Sequence, residues 1–170
     1  MNGVINLIGE IDAALTRFYF QQPWSEREKV LISSPGGDVG YMLAILDDFD
    51  ANKTITYATG INQSAAAVLA TCSEGWRYAT ADALFRFIEP EKTEKFTTEE
   101  GSEDFRVPND RWFIHSVVVN RLASRLHIPV PEAYDLFDGK FISSIRAKEL
   151  NLIDEVLLTY SHEKGTYSAG

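Results

Sequence analysis

The chain is poor in the residues that mark several classes of protein. It has one cysteine among 170 residues, Cys72, so it cannot form an intramolecular disulfide, and a reducing, cytoplasmic location is expected. It has no run of lysine and arginine and carries a net charge of −9, which disfavours binding to nucleic-acid phosphates. No apolar run approaches the ~18 residues of a membrane span, and no N-terminal signal pattern is present. We therefore expect neither nucleic acid nor membrane as a partner.

Hydrophobic residues make up 45% of the chain, enough to form one compact core. The composition predicts a single domain over residues 1–160, followed by a flexible polar tail over 161–170. No motif indicates a cofactor or a metal ion. Cys72 lies in an apolar stretch and is interpreted as a small buried hydrophobe.

Strand-like and helix-like patterns alternate along the chain. Short apolar or β-branched runs predict strands at 4–8, 29–33, 54–59, 76–78, 84–88 and 152–158. Apolar residues at helical spacing predict helices at 11–22, 38–49, 64–73 and 131–136, and the third of these is apolar on every side. Asn151 is predicted to end a last helix in the left-handed conformation. Strands separated by helices pair in parallel, so the pattern predicts an α/β fold.

The middle of the chain, residues 89–110, differs in composition from the segments on either side. Residues 89–110 are acidic and contain two prolines, which is typical of a solvated loop, although a substrate-facing lid or an oligomer contact is also compatible. Asn109 or Asp110 then caps a long predicted helix through Leu126. This helix carries more apolar residues than solvated helices do, which favours burial between subunits. The residues concerned are Trp112, Phe113, Val117, Val118 and Val119.

Two strand-to-helix junctions carry the chemistry. The sequence SSPGG at 33–37 follows one predicted strand, and GINQSAAA at 60–67 follows the next. Together they would bring glycine amides close to the hydroxyl of Ser64 at a helix N-terminus. A nucleophile beside backbone N–H groups is what acyl transfer requires. The plainer alternatives are that Ser64 or Asn62 caps the helix, and that Gly36 and Gly37 only serve a tight turn.

These motifs, in this order, resemble those of the proteolytic subunit of Clp protease (ClpP). The stretch FISS at 141–144, followed by Ala147 and by LID at 152–154, is similar to the ending of that family. The resemblance extends over about residues 4–157. It implies the ClpP/crotonase-like fold, a spiral of parallel strands with a projecting long helix, and it implies a serine peptidase.

Residue by residue, the resemblance makes Ser64 the nucleophile. Gly36, with Gly37 beside it, and Ala65 would supply the amides of the oxyanion hole. Asp135, six residues before Phe141, would be the aspartate of the triad, although it could equally be a surface residue of a helix. Asp138 and Gly139, just downstream, are interpreted as a turn. The family's histidine lies in a stretch similar to RVMIHQP, whereas residues 84–90 here read LFRFIEP, so its position is occupied by Ile88. Without a base, a serine hydroxyl is a poor nucleophile.

Other residues could replace the missing base. The three histidines are His115, His127 and His162, and each can also be read as a solvated or interface residue. Related enzymes of this fold use a lysine on the later helix, but residues 109–127 contain none. Lys92 and Lys95 lie in the acidic segment and are interpreted as solvated. Glu89 is adjacent to the lost position, but a carboxylate is a weak base toward a serine hydroxyl unless it is strongly desolvated.

Three hypotheses follow. The first is a ClpP-like serine peptidase that hydrolyses peptides through Ser64, impaired because Ile88 replaces the histidine. The second is a non-catalytic, structural or regulatory ring subunit of the same family. The third is an acyl-CoA enzyme of the crotonase type. A homo-oligomeric ring is expected, whereas docking to an AAA+ unfoldase is not, because the family's pore-lining N-terminal segment has no counterpart before residue 4.

Overall fold

The computed structural model describes residues 3–88, 107–161 and 166–169, with side chains described at 3–88 and 115–157. The strands are β1 Ile5–Ile8, β2 Lys29–Ser34, β3 Ile55–Gln63, β4 Arg77–Thr80, β5 Leu84–Ile88, β6 Asp138–Ser143, β7 Glu155–Ser161 and β8 Thr166–Ala169. The helices are α1 Ala13–Gln21, α2 Val39–Asn52, α3 Ala65–Cys72, α4 Val107–Leu126, α5 Val130–Asp135 and α6 Ser144–Glu149, with a short 3₁₀ helix at Trp24–Glu26.

The strands form one sheet that is mostly parallel. Strands β1, β2, β3, β4 and β7 are parallel neighbours in that order, and β5 pairs in parallel with β3. Two antiparallel strands lie at the margins, β6 beside β5 and β8 beside β7. The predicted α/β class with parallel strands is therefore confirmed.

Strand β3 divides the sheet. Its first half pairs with β4 and its last three residues, Ile61 to Gln63, pair with β5. The sequence predicted that β3 ends at Thr59, because Gly60 was interpreted as the start of a turn. Gly60 instead adopts a φ of +57° within the strand, close to Ser33, and the chain continues in extended pairing. This extension carries the chain directly to Ser64 at the side of β5.

Helix α3 forms the centre of the core. All eight of its residues are buried, as its uniformly apolar sequence predicted, and it packs against β2, β3, β5, α2 and α4. Cys72 is its last residue, and burial raises the pKa of its thiol to about 11. The thiol is therefore a buried apolar group rather than a nucleophile, as the sequence predicted.

Arg77 connects β4 to the C-terminal part of the chain. Its side chain is 2% exposed and pairs with Asp154 through two N–H donors, at 2.6 Å from Nη2 and 3.0 Å from Nε. Its Nη1 donates to the carbonyl groups of Thr71, Asn151 and Leu152. Burial alone would raise the pKa of Asp154, but the hydrogen bonds and charge of Arg77 outweigh it and hold that pKa below its usual value. The guanidinium is thus fully paired.

Three features differ from the sequence predictions. Strand β6 begins at Asp138 and Gly139, which had been interpreted as a turn, and β8 lies within residues predicted to be a flexible tail. Val118 and Val119 of α4 are buried within the chain's own core rather than held for a partner subunit. The described part of the chain contains no helix long and apolar enough to span a membrane.

Candidate active site

Ser64 lies between β3 and α3 with an unusual backbone. Its φ is +51° and its ψ is −121°, whereas the other non-glycine residues with positive φ in the described chain, Lys53, His127 and Asn151, lie just after helices. Positive φ costs a residue with a side chain of order 1–3 kcal/mol, and such strain is concentrated at functional sites. Ser64 occupies the N-cap position, but its side chain caps nothing. A capping role therefore does not account for this serine.

The glycine turn lies against this junction. A Cβ atom added to Gly36, whose φ is +103°, would lie 3.0 Å from Cβ of Ser64, 2.7 Å from the carbonyl oxygen of Gln63 and 3.5 Å from the amide of Ala65. Any side chain at residue 36 would therefore push the two junctions apart. The structure thus brings together the glycine turn, Ser64 and Ala65.

Two backbone N–H groups remain available at this point. The N–H of Gly36 donates to Oγ of Ser34 at 3.1 Å, so it is already engaged. The N–H groups of Gly37 and Ala65 donate to no acceptor among the described residues. Gly37 is exposed and Ser64 is half-buried, whereas Ala65 behind them is buried. The N–H of Ala65 at the N-terminus of α3 and that of Gly37 in the adjoining turn are donors of the kind that binds an oxyanion.

The amide of Ser64 donates to the carbonyl oxygen of Arg86 at 2.8 Å, which fixes the junction against β5. Ile88, two residues further along β5, lies in register with Asp138 on β6. Asp135 is the exposed last residue of α5, three residues before β6 begins. The residue that faces position 88 is therefore Asp138, which the sequence interpretation had assigned to a turn.

The carboxylate of Asp138 already has a hydrogen-bonding partner, Lys140. Its carboxylate accepts from Nζ of Lys140 at 2.6 Å and from the backbone N–H of Lys140 at 2.9 Å. These hydrogen bonds hold the pKa of Asp138 below its usual range. Asp138 is therefore a poor proton acceptor in its own right.

No described histidine lies in the junctions or strands that build the site. His115 is buried on α4 with its ring centroid 4.8 Å from that of Phe137 and 5.4 Å from that of Tyr134. His127 follows the end of α4 with a φ of +56°. The other candidate bases, His162, Glu89, Lys92 and Lys95, lie outside the described residues.

Arg86 is a further polar residue at the site, and sequence reasoning missed it. Its side chain contacts Gln63 and the carbonyl oxygen of Gly139, so it extends across β3, β5 and β6. The available signal was its position, because an arginine stands inside an otherwise apolar strand, LFRFI. Among the described residues there is no group of histidine, cysteine and carboxylate side chains that could hold a metal ion.

Comparison with known proteins identifies the family. The family model described as Clp protease matches residues 21–159, most of the chain, and the chain therefore belongs to the Clp protease family. Among solved structures, it is similar to the ClpP protease catalytic domain from Plasmodium falciparum, with a TM-score of 0.74 and 22% identity. The match covers 93% of this chain and 86% of that one. At this identity the likeness establishes the ClpP-like fold, which confirms the fold predicted from sequence. No curated protein matches significantly.

Proposed function

We propose that this chain is a ClpP-like serine peptidase homologue in which Ser64 is the nucleophile and catalysis is impaired. The observation that carries the proposal is the backbone of Ser64, with φ +51° and ψ −121° and no capping bond to offset the strain. A serine on a strained strand-to-helix turn is presented to a substrate rather than to its own helix. Family membership favours peptide-bond hydrolysis over acyl-CoA chemistry.

The oxyanion would be bound by the N–H groups of Ala65 and of the glycine turn. Gly36 is the residue that the family resemblance implies, but its N–H is held by Ser34, so Gly37 is the better donor in this geometry. For the carboxylate of the triad, the register with Ile88 favours Asp138 over Asp135. Peptides are the expected substrate class, and a buried unpaired thiol at Cys72 suits a reducing compartment such as the cytoplasm.

Impairment follows from Ile88. Its side chain can neither accept a proton from Ser64 nor donate to a carboxylate, so the general-base step has no group at that position. A serine hydrolase that lacks one member of its triad retains a residual acceleration of about 10³–10⁴ over water. A non-catalytic role within an assembly is the second candidate, and the same substitution favours it.

A fluorophosphonate probe, which bonds to activated serines, tests the proposal. We expect slow, stoichiometric labelling that intact-mass analysis assigns to Ser64 and that Ser64→Ala abolishes. Ser25→Ala is the matched control, because Ser25 is exposed in the 3₁₀ helix and belongs to neither junction. Labelling equal in the wild type and Ser64→Ala would leave only the non-catalytic role.

Ile88→His is the second arm of this experiment. We expect it to raise peptide hydrolysis by less than about tenfold, because a histidine also needs a carboxylate to hold its tautomer and Asp138 is paired with Lys140. Combining it with Lys140→Ala should give a larger gain. Robust hydrolysis by the unmodified chain, lost in Ser64→Ala, would show that another base exists and that the enzyme is not impaired.

We also propose that the chain forms a homo-oligomeric ring. Family membership and exposed apolar side chains support this, since Trp24, Trp76 and Ile145 are 59%, 60% and 63% exposed. Val118 and Val119 do not form part of the exposed apolar surface, because both are buried within the subunit. Light scattering should report several subunits per particle, and a monomer at every practical concentration would overturn this proposal.

A further inference from the structure

The position of Arg86 links it to the candidate nucleophile. Its carbonyl oxygen accepts from the amide of Ser64, and Arg86 is in register with Gln63, the residue before that serine. Phe85 and Phe87 on either side of it are fully buried. Because side chains alternate along a strand, Arg86 projects from the opposite face, the same face as Ile88.

Neutral groups hold the guanidinium in place. Nε donates to the carbonyl oxygen of Gly139 at 2.6 Å, and Nη1 lies 3.4 Å from Oε1 of Gln63. The guanidinium carbon stands 5.2 Å from the ring centroid of Phe141. These contacts fix the side chain and leave the hydrogens of Nη2 without an acceptor among the described residues.

Arg86 lacks an acidic partner among the described residues, unlike the other arginines of the described core. Each of the four that are buried or half-buried pairs with at least one aspartate. These pairs are Arg27 with Asp48, Arg77 with Asp154, Arg121 with Asp47 and Asp50, and Arg125 with Asp154. The chain has 25 acidic residues, but among those described none pairs with Arg86. A half-buried cation without a counter-charge raises the free energy of the folded protein, and a bound anion would offset that cost.

We propose that Arg86 binds a carboxylate of the peptide ligand beside Ser64. The planar fork of a guanidinium matches a carboxylate in geometry, and a side chain already fixed by neutral contacts loses little entropy on binding it. The ligand would then be a peptide with an acidic side chain, or its own C-terminal carboxylate, next to the bond at Ser64. This assignment rests on the proposed function for the peptide class, but not on catalysis.

Fluorescence anisotropy with labelled pentapeptides tests this inference. Three peptides are compared at about 0.15 M salt: one with a central glutamate and an amidated C-terminus, one with glutamine in that place, and the glutamine peptide with a free C-terminal carboxylate. All proteins carry Ser64→Ala, so that hydrolysis does not enter. A charge-assisted hydrogen bond predicts that a carboxylate peptide binds about tenfold tighter than the neutral one.

Arg86→Gln should remove that preference, and Arg86→Lys should keep part of it because the charge remains. Arg146→Gln is the matched control, since Arg146 is exposed on α6 and pairs with Glu149. The net charge of −9 works against every acidic peptide, so the general field of the protein cannot create the preference.

Tighter binding of only one carboxylate peptide would identify its source, side chain or terminus, and would support the proposal. Equal affinity for all three peptides, no binding of any, or an unchanged preference in Arg86→Gln would overturn it. Because binding is measured without turnover, an acidic preference that depends on Arg86 would stand even if Ser64 resisted the fluorophosphonate probe.

Discussion

The two strand-to-helix junctions of this chain have the same architecture, but only the first has a side chain that caps its helix. At the end of β2, the carboxylate of Asp38 accepts from the amide of Tyr41 at 2.9 Å and caps α2. Ile11 closes the same turn, donating to the carbonyl of Gly36 and accepting from the amide of Asp38, both at 2.8 Å. At the end of β3, Ser64 takes up a positive φ, caps nothing, and leaves the amide of Ala65 without an acceptor among the described residues.

The difference separates a structural junction from a candidate functional one. A capping residue lowers the free energy of its helix, whereas Ser64 contributes strain and no capping bond. Such an arrangement is stable only because α3 is buried on every side and holds the turn in place. The junction after β2 therefore also supports the junction after β3, because its Gly36 packs against Ser64.

The largest expected effect comes from disturbing the contact between the junctions. In Gly36→Ala, the new methyl group would meet the carbonyl of Gln63 at 2.7 Å and Cβ of Ser64 at 3.0 Å, in addition to the strain of positive φ. We expect a loss of about 3–5 kcal/mol in the free energy of unfolding, measured by urea denaturation, and loss of fluorophosphonate labelling.

Gly9→Ala is the matched control for that substitution. Gly9 has nearly the same φ, +105°, but no atom lies within 4 Å of the position its Cβ would take. It should therefore show only the backbone cost, about 1–2 kcal/mol, and normal labelling. Equal losses of unfolding free energy in the two variants would mean that the contact between the two junctions does not contribute to stability.

A smaller effect compares the two N-cap positions directly. Asp38→Ala removes a capping hydrogen bond and should lower the free energy of unfolding by about 1 kcal/mol. Ser64→Ala removes none and keeps the same backbone, so its change should stay within about 0.5 kcal/mol. Thermal or urea unfolding of both variants measures the difference. A loss of about 1 kcal/mol for Ser64→Ala as well would restore the capping interpretation of Ser64.

Local sequence patterns predicted most of the fold. Strand β5 begins and ends where its apolar run does, and α2 begins directly after Asp38, the residue at which the predicted helix begins. Asn151 has the left-handed φ, +60°, expected of a residue that ends a helix. These features depend on neighbours in the chain, which a sequence displays directly.

Features that depend on distant partners could not be found in this way. Strand β6 exists because β5 supplies its hydrogen bonds, although Asp138 and Gly139 alone favour a turn. The apolar face of α4 was attributed to a partner subunit, yet Val119 is fully buried against the chain's own core. Likewise, the motif singled out Ser64 as a candidate nucleophile, but its strained φ and its contact with Gly36 depend on how the two junctions pack together.

The pairing of Arg77 has a consequence for how the protein is made on the ribosome. Apart from the carbonyl of Thr71, its acceptors lie on residues 151, 152 and 154, and Asp154 follows Arg77 by 77 residues. At typical rates of translation, those residues take roughly 4–15 s to synthesise. Until they emerge, Arg77 of β4 lacks its counter-charge, and burying its guanidinium beside the core costs free energy. Completion of the C-terminal segment therefore stabilises the contact between Arg77 and Thr71 of α3, the helix that Ser64 precedes.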